Sequence, residues 1–308
     1  MLQTTEKLTA LSPYWKLART SQYIKNAFIF LPLFFGHKLN EWHAFINVSA
    51  AALSFCLAAS SVYVVNDFAD LAEDRNHPVK RLRPLASGAL GRFQALFFLA
   101  FLLTGSAVTA LMLENTGFLV ILLSYLLLNM AYCFYLKHIA IVDIICIAAG
   151  FVLRVLAGGI VADVPISHWI ITLTFLLALF LAFAKRRDDC LLSSNGNAVR
   201  RCIGGYNLEY ISTSMAVMAS VIIVSYILYT VSPETTQKHG TENLYITTVW
   251  VIIGLLRYMQ LVFVMGQAGS PTQVVLRDNF LQIIIFLWLL TFYLLFDSKQ
   301  LNIWLSGL

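Results

Sequence analysis

Apolar residues along this chain run in blocks of bilayer-crossing length, about 20 residues for some 30 Å of hydrocarbon, separated by short polar loops. Blocks this long suit helices rather than barrel strands. Read against their breakers, the blocks predict spans near Asn26–Leu39, Ala44–Val65, Ala95–Leu113, Gly117–Leu136, Val142–Val161, Trp169–Ala184, Ile211–Val231, Thr247–Met265 and Phe280–Phe296. That is about nine helices. The first is short and contains Pro32, so it is expected to start ahead of Asn26 and to kink. No internal repeat, linker or composition shift divides the chain, which reads as one integral-membrane domain, 1–308.

Composition supports an all-α polytopic membrane protein: 59% of residues are hydrophobic and 12% charged, with a mean hydropathy of +0.76. The segment Met1–Ala18 carries Glu6, Lys7 and Lys16 and has no compact apolar run before a small-residue site, so a cleaved signal peptide is not expected. Cys56, Cys133, Cys146, Cys190 and Cys202 show no metal-ligand spacing, and neither disulfides nor zinc are expected.

The net charge of +5 does not imply nucleic acid, because its carriers sit in short loops between spans. Lys7, Lys16, Arg19, Lys25, Arg75, Lys80, Arg81, Arg83, Arg92, Lys137, Lys185, Arg186, Arg187, Arg200, Arg201 and Arg277 all fall on one side of the predicted topology. The other side keeps Lys38, Lys238 and Lys299. The crowded side is therefore read as cytoplasmic.

The candidate chemistry begins where the second apolar block ends, in the stretch Asn66-Asp67-Phe68-Ala69-Asp70-Leu71-Ala72-Glu73-Asp74-Arg75. At about 100° per residue, Asn66, Asp67, Asp70 and Asp74 share one helical face. Carboxylates this crowded repel one another unless a cation neutralises them, and Mg2+, which favours a few carboxylates plus phosphate oxygens, suits the set. A solvated helix end would not account for acids at the interfacial end of a buried span.

The loop that follows, His77-Pro78-Val79-Lys80-Arg81-Leu82-Arg83-Pro84-Leu85-Ala86-Ser87-Gly88, is dense in cations. Acid followed by base reads as a metal–phosphate site, with Lys80, Arg81 and Arg83 taking phosphate charge. Positive-inside topology accounts for any single one of these cations equally well. His77 reads as a partner that orders the loop rather than a metal ligand.

Two cations lie inside predicted spans, Arg154 and Arg257, each costing a few kcal/mol unless it meets a polar cavity or a partner. Arg154 is read as facing substrate, on a helix that Lys137 precedes and Asp143 opens. For Arg257 a structural ion pair is an equal alternative. Tyr63, one turn before Asp67, is placed to line the same site, although a bare aromatic in a span also suits the core.

The pattern Asn66-Asp67-x-x-Asp70-x-x-x-Asp74 at the end of a second span resembles the first motif of the UbiA prenyltransferase superfamily, and the resemblance extends over nearly the whole chain. It implies about nine transmembrane helices around a central cavity. The chain departs from the aromatic-prenylating branch at the loop after the sixth span. Spaced aspartates there hold a second Mg2+ in that branch, whereas this chain reads Ala184-Lys185-Arg186-Arg187-Asp188-Asp189. Together with Arg19-x-x-Gln22-x-x-Lys25-Asn26, Lys80-Arg81-x-Arg83-Pro84 and Arg154-x-x-Ala157-Gly158, this departure resembles the decaprenyl-phosphate phosphoribosyltransferase branch.

That resemblance implies transfer of 5-phosphoribose from phosphoribosyl pyrophosphate to a polyprenyl phosphate at the cytoplasmic face of the inner membrane. Mg2+ would sit on Asn66, Asp67, Asp70 and Asp74, of which the three aspartates are the expected catalytic residues. Arg19, Lys25, Tyr63, Asn66, Lys80, Arg81, Arg83, Lys137, Arg154, Lys185 and Arg186 are the expected substrate contacts. A donor carrying a diphosphate and a 5-phosphate, with a phosphate as acceptor, calls for more cations than one prenyl diphosphate does. The alternative is an aromatic prenyltransferase with a polyprenyl diphosphate donor and a hydroxybenzoate- or quinone-type acceptor. A cation-coupled transporter fits poorly, since its charges would lie near the midplane. The partners implied are the two substrates and the bilayer, with no nucleic acid, and a homo-oligomer is compatible with the reading.

Overall fold

The computed structural model describes residues 12–76, 79–194, 205–266 and 271–306. Glu6, Lys7, His77, Pro78, Arg200, Arg201 and Cys202 lie outside the described residues. The long helices are α1 (Trp42–Ala69), α2 (Arg92–Leu111), α3 (Thr116–Phe134), α4 (Val142–Val161), α5 (His168–Ser194), α6 (Leu208–Val231), α7 (Thr248–Phe263) and α8 (Asn279–Ser306). No strand occurs among the described residues.

Among the described residues, seven helices are long and apolar enough to cross a membrane, or eight if the pair Pro271–Arg277 and Asn279–Leu295, bent by 89°, forms one broken span. The expected first span takes another form. Thr20–Phe30 is a 3-10 helix and Leu31–Phe35 a short α-helix with Pro32 in its first turn. Proline supplies no N–H and is tolerated at a helix start. A 3-10 segment rises about 2.0 Å per residue against about 1.5 Å in an α-helix, so these residues reach about 30 Å. Among the described residues the seven or eight candidate spans stand against the about nine expected from hydropathy.

The chain divides into two compact units, Met1–Phe175 with Leu192–Gly205, and Leu176–Leu191 with Tyr206–Leu308. In the first, helices approach closely at small residues, as membrane helices do where burial of apolar surface gives no net drive. Ser54 and Ser106 clasp α1 to α2, each hydroxyl donating to the other's carbonyl, at 2.9 and 3.0 Å. A Cβ added to Gly158 on α4 would lie 1.8 Å from the Ile29 carbonyl oxygen of the 3-10 segment, so only glycine fits that crossing. Lys38 donates to the carbonyls of Ala162 and Asp163, both at 3.1 Å, satisfying the open end of α4.

In the second unit, Tyr226 Oη lies 2.8 Å from Thr247 Oγ1 and accepts from Trp288 Nε1 at 2.8 Å, pairing the buried polar atoms of three segments. Arg257 meets Asp278 at 2.7 Å, and Asp278 Oδ1 accepts from the backbone N–H of Leu281 at 2.8 Å. Arg257 is thus a structural ion pair that fixes the bend ahead of α8.

Candidate active site

All of the acidic face lies in the first unit. Helix α1 ends at Asp70, and Leu71–Asn76 resumes as a short helix. The Asp70 N–H donates to the Asn66 carbonyl at 2.9 Å and the Asp74 N–H to the Asp70 carbonyl at 2.8 Å, so helical spacing carries through the break. Asn66, Asp67, Asp70 and Asp74 therefore keep the shared face that the spacing predicts. Asp67 and Asp74 are 2% and 1% exposed, far less than carboxylates at an ordinary helix end.

Each carboxylate meets a cation brought from elsewhere in the sequence. Arg19 pairs with Asp67. Arg83 bridges two carboxylates, with Nη1 2.5 Å from Asp74 Oδ2 and 3.2 Å from Asp67 Oδ1. Lys137 Nζ donates to Asp70 Oδ1 at 2.5 Å, and Asn66 Nδ2 donates to Asp70 Oδ2 at 3.0 Å.

Apolar packing aims these cations. Leu17, just ahead of Arg19, and Leu85 and Leu90, just after Arg83, are buried in one cluster with Val64 of α1 and Ala95 and Leu102 of α2. That cluster holds both guanidinium-bearing segments against the last turns of α1. Tyr63 adds a platform, with the Arg19 guanidinium 4.8 Å above its ring. Lys80 and Arg81 lie on a 3-10 turn, Lys80 half-buried and Arg81 exposed.

Deeper in the same unit, Arg154 is buried on α4 and its partners are neutral. Nε donates to Asn26 Oδ1 at 2.7 Å, Nη1 to the Gly150 carbonyl at 2.8 Å and Nη2 to the Tyr125 hydroxyl at 3.0 Å. Rings of Tyr125 and Phe151 lie 4.8 and 5.4 Å from the guanidinium. Among the described residues no carboxylate stands within 4.0 Å of it. Lys25 shares its surroundings with the like charges of Arg154 and Arg19. Tyr125 was not a candidate from sequence, since an aromatic in an apolar span gives no signal of its own.

In the second unit, Arg186 is fully buried and pairs with Asp189 three residues on. Asp188 is buried and Lys185 half-buried. Arg187 donates to the Val262 carbonyl at 2.8 Å and lies 5.0 Å over the Phe263 ring, tying α5 to the end of α7.

In donor chemistry the acidic face fits a hard divalent cation: three carboxylates and an amide, with Asp74 Oδ1 buried and lacking a hydrogen-bond partner. In convergence it does not, for among the described residues no three His, Cys, Asp or Glu side chains stand close enough to hold a metal. The carboxylates face cationic side chains instead.

Residues 29–192 match the UbiA prenyltransferase family. The decaprenyl-phosphate phosphoribosyltransferase of Mycolicibacterium smegmatis is 32% identical to this chain over 285 residues, 89% of each protein. That of Corynebacterium glutamicum is 31% identical over 280 residues, 89% of this chain and 83% of its own. Among solved structures, a UbiA homolog from Archaeoglobus fulgidus bound to DMAPP and Mg2+ matches with a TM-score of 0.70 and 18% identity, over 92% of this chain and 99% of that one. At that identity the likeness concerns the fold, and it is the fold expected from the motif and the hydropathy pattern. The chain therefore belongs to the UbiA prenyltransferase family.

Proposed function

We propose that this membrane transferase moves 5-phosphoribose from phosphoribosyl pyrophosphate to a polyprenyl phosphate and releases pyrophosphate. The observation that carries the reading is the surplus of cations: each aspartate of the acidic face already meets one, and Arg154 stands nearby with only neutral partners. A donor with two phosphate groups and an acceptor with a third would use that surplus. Curated relatives along most of the chain carry the name of this reaction.

Mg2+, the cation bound to solved members of the fold, would be held by Asn66, Asp67, Asp70 and Asp74 and would neutralise the leaving pyrophosphate. Arg19, Arg83 and Lys137 would bind its remaining oxygens through charge-assisted hydrogen bonds, with Lys80 and Arg81 beside them. On the resemblance alone, Lys185 and Arg186 take a further share of phosphate charge. An acceptor phosphate oxygen attacks the anomeric carbon as the bond from that carbon to pyrophosphate breaks. A phosphate dianion needs no general base, so the work of the protein is placement and charge. The whole chain, 1–308, would act as one domain with its site at the cytoplasmic face of the inner membrane.

The test is direct. Purified protein in lipid nanodiscs is given radiolabelled phosphoribosyl pyrophosphate with polyprenyl phosphate, and in parallel a prenyl diphosphate with hydroxybenzoate. Label is expected in the lipid fraction of the first reaction. A prenylated ring in the second, with no lipid-linked sugar in the first, would replace this reading by aromatic prenyl transfer.

A further inference from the structure

Arg19 stands in the left-handed region of backbone space, φ 51° and ψ 49°, where the helical residues 12–18 give way to the 3-10 helix Thr20–Phe30. A residue with a Cβ keeps that conformation only where its surroundings hold it. Glycine would relieve the backbone here but would remove the guanidinium that pairs with Asp67. The turn must therefore be fixed from outside, and Ser60 of α1, fully buried, is placed to do so. Its Oγ donates to the Ala18 carbonyl at 2.8 Å and lies 2.8 Å from Tyr23 Oη. A hydroxyl carries one proton, so Ser60, donating to Ala18, accepts from Tyr23. This relay ties the chain on both sides of Arg19 to a single atom of α1. Ser60, Tyr63 and Asp67 lie within about 60° of one another around that helix. They meet in turn the backbone beside Arg19, the face of its guanidinium and its charge. Ser61, equally buried, differs: its hydroxyl donates to the Ala58 carbonyl of its own helix at 2.7 Å.

We infer that Ser60 is a positioning residue for Arg19: it fixes the left-handed turn from which the guanidinium reaches Asp67, and Tyr23 sets the direction of the Ser60 proton. Without that hydroxyl the turn relaxes toward an ordinary backbone conformation, and the guanidinium leaves its place above Tyr63. What is lost is the charge that Arg19 brings to the site, not the packing of α1. The inference rests on the proposed function only in requiring Arg19 to act on the donor. It holds equally for a sugar or a prenyl donor.

The experiment has two readouts on the full-length protein in nanodiscs. The first is amide hydrogen exchange by mass spectrometry, which needs no substrate. The Arg19 and Gln22 amides donate across the turn, to the Lys16 and Arg19 carbonyls at 3.3 and 2.8 Å. Ser60→Ala should speed exchange in the peptide that holds them by about tenfold, and Ser61→Ala should leave it unchanged. The second is a double-mutant cycle in donor kcat/KM, with whichever donor the wild type turns over, sugar or prenyl. Ser60→Ala should lower kcat/KM about tenfold and Arg19→Met about a hundredfold, with the same division between KM and kcat. Because Ser60 acts through Arg19, the double variant should match Arg19→Met, whereas independent roles would multiply to about a thousandfold. Tyr23→Phe should shift both readouts in the same direction as Ser60→Ala, and it serves in its place if that variant does not fold. Unchanged exchange would overturn the inference, as would independent losses in the cycle. Failure of the sugar-transfer assay leaves both readouts interpretable, since exchange needs no donor and the cycle can use the prenyl donor.

Discussion

Lys137 places its Nζ 2.5 Å from Asp70 Oδ1 across 67 positions of sequence, joining the loop before α4 to the break at the end of α1. Lys137 is almost wholly buried and the Asp70 side chain is 12% exposed, so the pair is little screened by solvent. Its position makes Asp70 the carboxylate through which two distant segments respond to the same charge.

Asp70→Asn and Asp74→Asn should each lower turnover by about a hundred- to a thousandfold, the scale of one preorganised electrostatic contact. The helices should remain extractable and monodisperse, because an amide fills the same volume. Turnover in purified protein is the readout, and full activity in EDTA would show that no metal acts at this face.

Tyr63 should act through its ring rather than its hydroxyl, since it lies beneath the Arg19 guanidinium. Tyr63→Phe is expected to keep donor kcat/KM near wild type. Tyr63→Leu should lose about 0.5–2 kcal/mol of cation–π contact, or roughly two- to thirtyfold. Equal losses in both variants would assign the role to the hydroxyl.

Lys185 and Arg186 separate a binding role from a packing role. Lys185→Ala should raise KM for phosphoribosyl pyrophosphate about ten- to a hundredfold, the scale of a lost charge-assisted hydrogen bond of about 1.5–3 kcal/mol. Arg186→Ala should in addition lower the melting temperature, because it empties a fully buried site and leaves Asp189 without this partner. Unchanged donor kinetics in both would remove these residues from phosphate binding.

Arg154→Met should lower the melting temperature, since it leaves the buried Asn26 Oδ1 and Tyr125 hydroxyl without the donor they meet here, at about 1–3 kcal/mol per unsatisfied group. If Arg154 serves the acceptor, KM for polyprenyl phosphate should rise while KM for the donor stays in place. Steady-state kinetics with each substrate varied in turn will show which, and a change confined to the donor would move Arg154 to the other substrate.

Hydropathy made the long helices legible because each must bury its own backbone polar groups and so announces itself as an apolar run. It did not reveal that Thr20–Phe30 is a 3-10 helix followed by a short α-helix that opens at Pro32, because an apolar run does not distinguish the two helix types. The acidic face was legible because Asn66, Asp67, Asp70 and Asp74 are local. The partner of each carboxylate was not, since nothing in a one-dimensional pattern says that Asp67 takes Arg19 and Asp70 takes Lys137. Arg154 drew attention as a charge in a span, but its neutral ring of Asn26, Tyr125 and Gly150 depends on tertiary packing. Arg257 shows the converse, its partner Asp278 lying beyond the end of its own helix.

Gly158 lies one turn beyond Arg154 on α4, and Ile29 one turn beyond Asn26 on the 3-10 segment. Their backbone contact therefore sets the spacing at which Asn26 meets Arg154, 2.7 Å away. A single methyl group at Gly158 would wedge the two segments apart and pull that amide off the guanidinium without touching a polar atom. The orientation of a charged side chain thus depends on a neighbouring residue that has no side chain at all, so a change that alters neither charge nor hydrogen-bonding groups can turn that charge aside.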